Sequence, residues 1–302
     1  QEPTSYALAF SRVAPVQLAF WGHPTTTGIA DSIDYYLLMD GAEPWVSAAD
    51  KYSEQLVRLD SLGSFYRRNE SGQLRPDWDR HDYHRLSSRL AAYSNRTFYA
   101  CPQHCLKYHP DFDVALRGIL ARDPTAVLVL RDCPDVLARL GDDARIVAVP
   151  TLPLGDYVAL FGAAHVTLEP FPFGGSITTL DAFEAGAPVV AKTPAHDAAA
   201  RPGLTAALYD ILQLTDCLVG STDDYVERAV AIAHDPPRRR RIRAHIDRFR
   251  HRLYENIGAV REVERFLLRA ASTSSRRQVL VSSSTSTAPP RNDRADSVTA
   301  AS

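Results

Sequence analysis

"HVTLEPFPFGGSITTLDAFEAGAPVVAK", residues 165–192, carries the architecture of the chain in miniature. An apolar strand-like run leads to a turn at Gly174-Gly175. A helical segment with an apolar stripe starts near Ser176, and a second apolar run closes the unit. Two parallel strands need a crossover between them, and a helix is the usual one. The same alternation extends to both sides. "TFYAC" (97–101), "AVLVLRD" (126–132), "RIVAVP" (145–150) and "DCLVG" (216–220) read as strands. "DFDVALRGILARD" (111–123), "PDVLARLG" (134–141), "GDYVALFGAA" (155–164) and "STDDYVERAVAIAHD" (221–235) read as helices. Such a series predicts an α/β fold, a Rossmann-like parallel sheet with helices on both faces.

Further out the pattern weakens. In "VQLAFWGHPTTTGIADSIDYYLLMD" (16–40) a strand-like run, Val16 to Phe20, precedes a turn cluster, Gly22 to Gly28, and a second apolar run. Residues 41–90 are polar and rich in aromatics, with short elements that periodicity does not assign. Beyond 235 the spacing predicts one long basic helix from Pro237 to Arg269, followed by a Ser/Thr-rich stretch of low complexity. The expected division is 1–95, 96–270 as the Rossmann-like lobe with a closing helix, and 271–302 as a disordered tail.

The bulk properties exclude several classes. The 302 residues are 45% hydrophobic and 23% charged with a net charge of −2, an ordinary globular balance. That charge argues against a nucleic-acid or membrane-surface partner. The basic run "RRRRIRAHIDRFRHR" (238–252) places Ile242, Ile246 and Phe249 on one face and reads as a solvated helix face. No apolar run approaches the ~18 residues of a membrane span. Cys101, Cys105, Cys133 and Cys217 match no zinc spacing and make a poor disulfide framework, so a reducing compartment, cytoplasm or nucleus, is expected. The chain begins with Gln1 and lacks a basic leader, and it reads as part of something longer.

Three clusters fit chemistry. In an open parallel sheet the ligand lies beyond the carboxyl ends of the strands, where turns meet helix N-termini. Gly174 and Gly175 permit close approach to the backbone, Ser176, Thr178 and Thr179 open the helix, and its amides attract phosphate. Asp181, one turn in, suits the hydroxyls of a ribose. A plain N-cap worth about 1 kcal/mol explains the same hydroxyl residues. "CPQHCLKYHPDFD" (101–113) sets Gln103, His104, Lys107 and His109 between a strand and a helix. Lys107 there is either a point charge for a diphosphate or a solvated loop lysine. "WGHPTTTG" (21–28) offers His23, Thr26 and Thr27 as a polar nest for a phosphate or sugar, or as an ordinary turn.

These clusters, in this order, resemble the catalytic region of the O-linked N-acetylglucosamine transferase and SPINDLY family. The matching pieces are "RVAPVQLAFWGHPTTTGIADSIDYYL", "YSEQLVRLDSLGSFYRR", "CPQHCLKYHPDFD" and the segment from Leu168 through "ALYDILQL". Together they span roughly residues 8 to 265, and the bacterial-type members look more similar than the animal ones. The resemblance implies a GT-B architecture, two Rossmann-like lobes, of which this chain holds the C-terminal one and part of the N-terminal one. It implies an inverting glycosyltransferase that uses no metal or cofactor and moves a sugar, first choice N-acetylglucosamine from UDP-GlcNAc, to Ser/Thr hydroxyls of proteins. Fucosyl or glucosyl transfer from another nucleotide sugar, and a non-catalytic nucleotide-sugar-binding remnant, are the alternatives. By motif, Lys107 is the catalytic residue at the diphosphate and Gln103 a donor contact. Gly175, Ser176, Thr178 and Thr179 form the cradle, Asp181 meets the ribose, and the His23, Thr26 and Thr27 loop faces the sugar. Ser176-Ile177 replaces a His-Thr pair of the animal enzymes, and Leu154 and Tyr157 replace a lysine and a histidine that hold the nucleotide. The family's tetratricopeptide repeats are not visible in this sequence.

Overall fold

The computed structural model describes residues 3–21, 26–42, 51–67, 90, 93, 95–193 and 203–284, the last part (274–284) as backbone only. Two parallel sheets result. The smaller has strands β1 (Leu18–Phe20), β2 (Tyr35–Met39) and β3 (Gln55–Leu59) in the order β1-β2-β3. The larger has β4 (Thr97–Cys101), β5 (Ala126–Arg131), β6 (Ile146–Val149), β7 (Val166–Leu168), β8 (Val189–Lys192) and β9 (Leu218–Val219). Its order is β6-β5-β4-β7-β8-β9. The chain thus runs outward to one edge from β4, then returns to the middle and runs to the other edge from β7. That reversal is the topological switch point where such sheets bind ligands.

The helices are α1 (Pro3–Ala9), α2 (Pro110–Arg122), α3 (Pro134–Leu140), α4 (Leu154–Ala163), α5 (Ile177–Glu184), α6 (Leu204–Leu212), α7 (Thr222–His234), α8 (Pro236–Phe249) and α9 (Ile257–Ser284). The strands expected from 97 to 220 and the helices between them are present. Their apolar runs are buried on both faces, as Ala126 to Leu130 and Val189 to Ala191 show. α2 starts at Pro110, whose fixed φ suits a first helical position, and His109 Nδ1 accepts the Asp111 amide at 3.2 Å as its cap.

The long basic helix expected from Pro237 to Arg269 is two helices. α8 ends at Phe249, a 3-10 turn covers Arg250–Arg252, and Glu255 adopts φ 54 before α9 begins. The Glu255 amide donates to the Tyr66 carbonyl at 2.9 Å, and Tyr66 and Tyr254 form an isolated parallel bridge. The chain therefore turns to dock on the segment after β3, and helical spacing runs on through a break that it does not signal. α9 then crosses to the smaller sheet, where Phe266 and Ala270 pack with Leu37 and Leu59. Glu262 receives the Asp60 amide at 2.6 Å. The helix also continues past the boundary expected at 270, through Ser284.

The basic run is not only a solvated face. Arg243 Nη2 donates to the Ala164 carbonyl at 2.9 Å, and Arg250 Nη1 to Glu184 at 2.9 Å. Arg252 Nη1 reaches Ile211 at 3.3 Å, and Arg239 Nη1 reaches Ile232 at 3.1 Å. These carbonyls lie in the last turns or caps of α4, α5, α6 and α7, where regular intrahelical donors run out and the helix dipole favours a cation. Ile242 and Ile246 anchor the apolar side.

A second correction concerns the cysteines. Cys105 and Cys133 form a disulfide with Cα atoms 5.6 Å apart, while Cys101 and Cys217 are buried thiols. Cys105 follows β4 and Cys133 follows β5, and these strands are neighbours. Strand order, which spacing does not reveal, brings them together.

Candidate donor-binding site

The switch point lies between β4 and β7, and the segments leaving these two strands build the site. Beyond β4 come Gln103, His104 and a 3-10 turn, Cys105–Lys107. Beyond β7 come Glu169, the Gly174-Gly175 turn and α5. A cavity of about 220 Å³ opens here, lined by Gln103, Lys107, Arg131, Leu152, Tyr157 and Thr178 among others.

Gln103 is 4% exposed. Its Nε2 donates to Thr178 Oγ1 at 2.7 Å, while its Oε1 is buried with no hydrogen-bond partner. A buried carbonyl acceptor without a donor is uncommon and unfavourable, so this atom suits a ligand N–H or O–H. Lys107 Nζ donates to the Gly174 carbonyl at 2.9 Å and stands 5.1 Å from the Phe173 ring centre. Burial pushes the Lys107 pKa down, and the nearby Glu169 carboxylate opposes the fall. Arg131 adds a second cation to the wall and is held by Thr151 at 2.7 Å.

α5 begins with Ser176 at its cap position, yet that side chain makes no capping bond. The plain-cap explanation therefore does not account for Ser176. The amides of Ile177 and Thr178 head the helix with no intrahelical carbonyl to serve them. Thr179 is turned away from the cavity: its hydroxyl is 2.9 Å from that of Thr205 in the core. The Gly175 amide is also committed, donating to Glu169 Oε1. Of the expected cradle, Thr178 lines the opening, while Gly175 and Thr179 brace it from behind.

Asp181 lies one turn along α5. Its Oδ1 accepts the Tyr66 hydroxyl at 2.8 Å, so one of its two oxygens is occupied by a residue of the N-terminal segment. Burial raises the Asp181 pKa, the Tyr66 bond opposes this, and Glu184 adds to the rise. Burial pushes the Tyr157 phenol up and the Asp181 charge adds to the rise, but Asp181 is not among the residues that line the cavity.

The nest expected around the threonines of the N-terminal loop holds a carboxylate of this chain. Glu54 is 6% exposed. It accepts the Thr26 hydroxyl at 2.6 Å, the Thr27 amide at 2.8 Å and the Thr27 hydroxyl. Burial opposes its charge, but these bonds outweigh burial and hold its pKa low. A nest filled by an anion repels a phosphate, which corrects Thr26 and Thr27 as phosphate ligands. His23 lies outside the described residues. His104 and His109 serve as local caps through Nδ1.

Sequence reasoning missed Glu169, Glu54, Arg131 and Tyr66. A carboxylate at a strand end carries no periodic signal, and Tyr66 meets Asp181 only because the segment after β3 packs against α5. Among the described residues, no group of three or more His, Cys, Asp or Glu side chains is placed to hold a metal, and no helix is long and apolar enough to cross a membrane.

No protein-family model matches the chain. Over 241 residues it is 26% identical to the probable UDP-N-acetylglucosamine–peptide N-acetylglucosaminyltransferase SPINDLY of Petunia hybrida, covering 74% of this chain and 24% of that protein. Over 249 residues it is 27% identical to the UDP-glucose:protein N-beta-glucosyltransferase of Actinobacillus pleuropneumoniae serotype 5b, covering 78% of this chain and 37% of that protein. Among solved structures, a mutant O-GlcNAc transferase of Thermobaculum terrenum superposes with a TM-score of 0.71 at 21% identity, over 90% of this chain and 51% of that one. This likeness bears on the fold alone, a parallel-sheet α/β structure of the GT-B type. The chain spans only 24% and 37% of the two curated relatives. It is a relative of the SPINDLY-type and bacterial protein glycosyltransferases, matched over part of their catalytic region.

Proposed function

We propose that this chain is the nucleotide-sugar-binding part of a glycosyltransferase that moves a sugar from a nucleoside diphosphate donor to a protein. The donor we favour is UDP-GlcNAc and the acceptor a Ser or Thr hydroxyl. One observation carries the reading: Gln103, whose buried Oε1 has no hydrogen-bond partner, lines a cavity together with Lys107, Arg131 and Thr178 at the head of α5. Two cations and helix amides suit a diphosphate, and the lone acceptor suits a ligand N–H or O–H. The names of the relatives, both protein glycosyltransferases acting from UDP-sugars, support the same class.

In the proposed reaction the acceptor oxygen attacks the anomeric carbon from the face opposite the diphosphate. The carbon–oxygen bond to the diphosphate breaks, and its electron pair leaves with the diphosphate, which inverts the sugar. Lys107 offsets the charge that grows on the leaving group, aided by the amides of Ile177 and Thr178, a role that needs no metal. No residue is assigned as the base that takes the acceptor proton.

Calorimetric titration with UDP-GlcNAc, UDP-glucose and GDP-fucose tests the donor, and mass spectrometry of a Ser/Thr peptide tests transfer. Binding of GDP-fucose alone would overturn the choice of UDP-GlcNAc. Donor binding with neither transfer nor UDP release would mark a binding module instead of an enzyme. The Actinobacillus relative favours one further reading, glucose transfer to an asparagine amide, which UDP-glucose with an Asn peptide would reveal.

A further inference from the structure

The turn that leads into α5 is built on a carboxylate that no motif marks. Glu169 directly follows β7, is 6% exposed, and accepts both the Gly175 amide and the Thr205 hydroxyl at Oε1. A Cβ at Gly174 would stand 2.8 Å from this oxygen, and one at Gly175 3.0 Å from it. The turn therefore lies as close to the carboxylate as a chain without side chains permits. Lys107 grips the same turn through the Gly174 carbonyl at 2.9 Å. The Glu169 backbone is itself fixed, its carbonyl accepting the Tyr225 hydroxyl at 2.9 Å.

We propose that Glu169 is a positioning residue of the donor site: its buried carboxylate fixes the Gly174-Gly175 turn and keeps the Lys107 ammonium charged and in place for a diphosphate. This rests on reading the cavity as a diphosphate site. Burial lowers the Lys107 pKa, and the Glu169 charge works against that. Burial likewise raises Glu169, opposed by Thr205, the Gly175 amide, Lys107 and Thr179. His104, Arg131 and Tyr157 share the cavity wall with Lys107, and behind it the titratable groups around the pair are Cys101 on β4, Tyr108 after the 3-10 turn, Tyr209 on α6 and Tyr225 on α7. Burial pushes Cys101 up to about 12 and the three phenols upward, so all four are neutral near pH 7. Among these groups, Glu169 alone answers the Lys107 charge.

Competitive acetylation, read by mass spectrometry on the Lys107 peptide of the full chain, gives the protonation midpoint of that amine without any ligand. Glu169→Gln should lower the midpoint by about one pH unit or more, a tenfold change in its protonation constant. Thr205→Val removes a donor that helps hold the Glu169 carboxylate ionised, so it should lower the midpoint in the same direction and by no more than Glu169→Gln does. UDP, titrated calorimetrically, should bind E169Q about tenfold more weakly or worse, with the loss growing as pH rises. An unchanged midpoint in E169Q, or a larger fall in Thr205→Val than in E169Q, overturns the proposal. Should E169Q not fold, Glu169→Asp carries the test. It keeps the charge, so the midpoint must hold while UDP binding weakens, and a falling midpoint overturns the idea. A midpoint that responds as expected in a chain that binds neither UDP nor GDP keeps the Glu169–Lys107 pairing and removes the diphosphate reading.

Discussion

Replacing Gln103 by leucine separates a residue kept for binding from one kept for stability. The wild-type side chain contributes one buried bond, Nε2 to Thr178 at 2.7 Å, and leaves Oε1 buried without a donor. A neutral hydrogen bond adds about 0.5–1.5 kcal/mol, whereas an unsatisfied buried polar atom costs about 1–3 kcal/mol. Leucine fills nearly the same volume, removes both, and leaves the Thr178 hydroxyl at the cavity, where water reaches it. The net expectation is a gain of roughly 0–2 kcal/mol in stability. At about 2–4 °C per kcal/mol for a domain of 150–250 residues, that is an unchanged or slightly raised melting temperature. UDP binding should weaken about tenfold, the worth of one lost bond to the ligand. Thermal unfolding and calorimetry on the same preparation check both. A variant destabilised by more than about 1 kcal/mol would show that Oε1 has a partner in the free protein, and the reasoning from an orphan acceptor would fail. A stabilised variant with undiminished UDP affinity would remove Gln103 from the site.

Four other outcomes follow from the geometry. Lys107→Met should weaken UDP by at least about tenfold with little loss of stability, because burial already disfavours the ammonium. In the wild type, burial lowers the Lys107 pKa, so UDP affinity should decline as pH rises at a lower pH than an ordinary lysine would give, measured by titration at several pH values. Tyr66→Phe frees the Asp181 oxygen that Tyr66 now occupies, and UDP should bind several-fold more tightly while Asp181→Asn binds more weakly; equal affinity in all three proteins would take Asp181 out of the site. His165, lowered from 6.5 to about 4 chiefly by burial, binds fewer protons folded than unfolded, so it destabilises the fold as pH falls from about 6.5 toward 4. Denaturant midpoints over that range should fall less steeply in His165→Gln.

The Rossmann-like lobe was legible because its strands are buried on both faces and so appear as unbroken apolar runs between capped helices. Lys107, Gln103 and Thr178 were expected at one place from the strand ends they follow and from the family resemblance, and they line one cavity. What escaped the sequence depends on partners distant in the chain. Thr179 looks identical to Thr178 until the helix phase turns it toward Thr205. Thr26 and Thr27 look like an open nest until Glu54, just before β3, fills it. The helix break before Glu255 has no glycine or proline to announce it; docking against Tyr66 imposes it. Cys105 and Cys133 become neighbours only once β4 and β5 pair.

The arginines between residues 236 and 252 carry one more consequence, in the order of synthesis. They are translated after α4, α5, α6 and α7, whose carbonyl ends they close. A growing chain therefore completes every strand of the larger sheet while the last turns of those four helices still end in water. Only once the arginine segment has left the ribosome can these four helix ends be tied to one another through it.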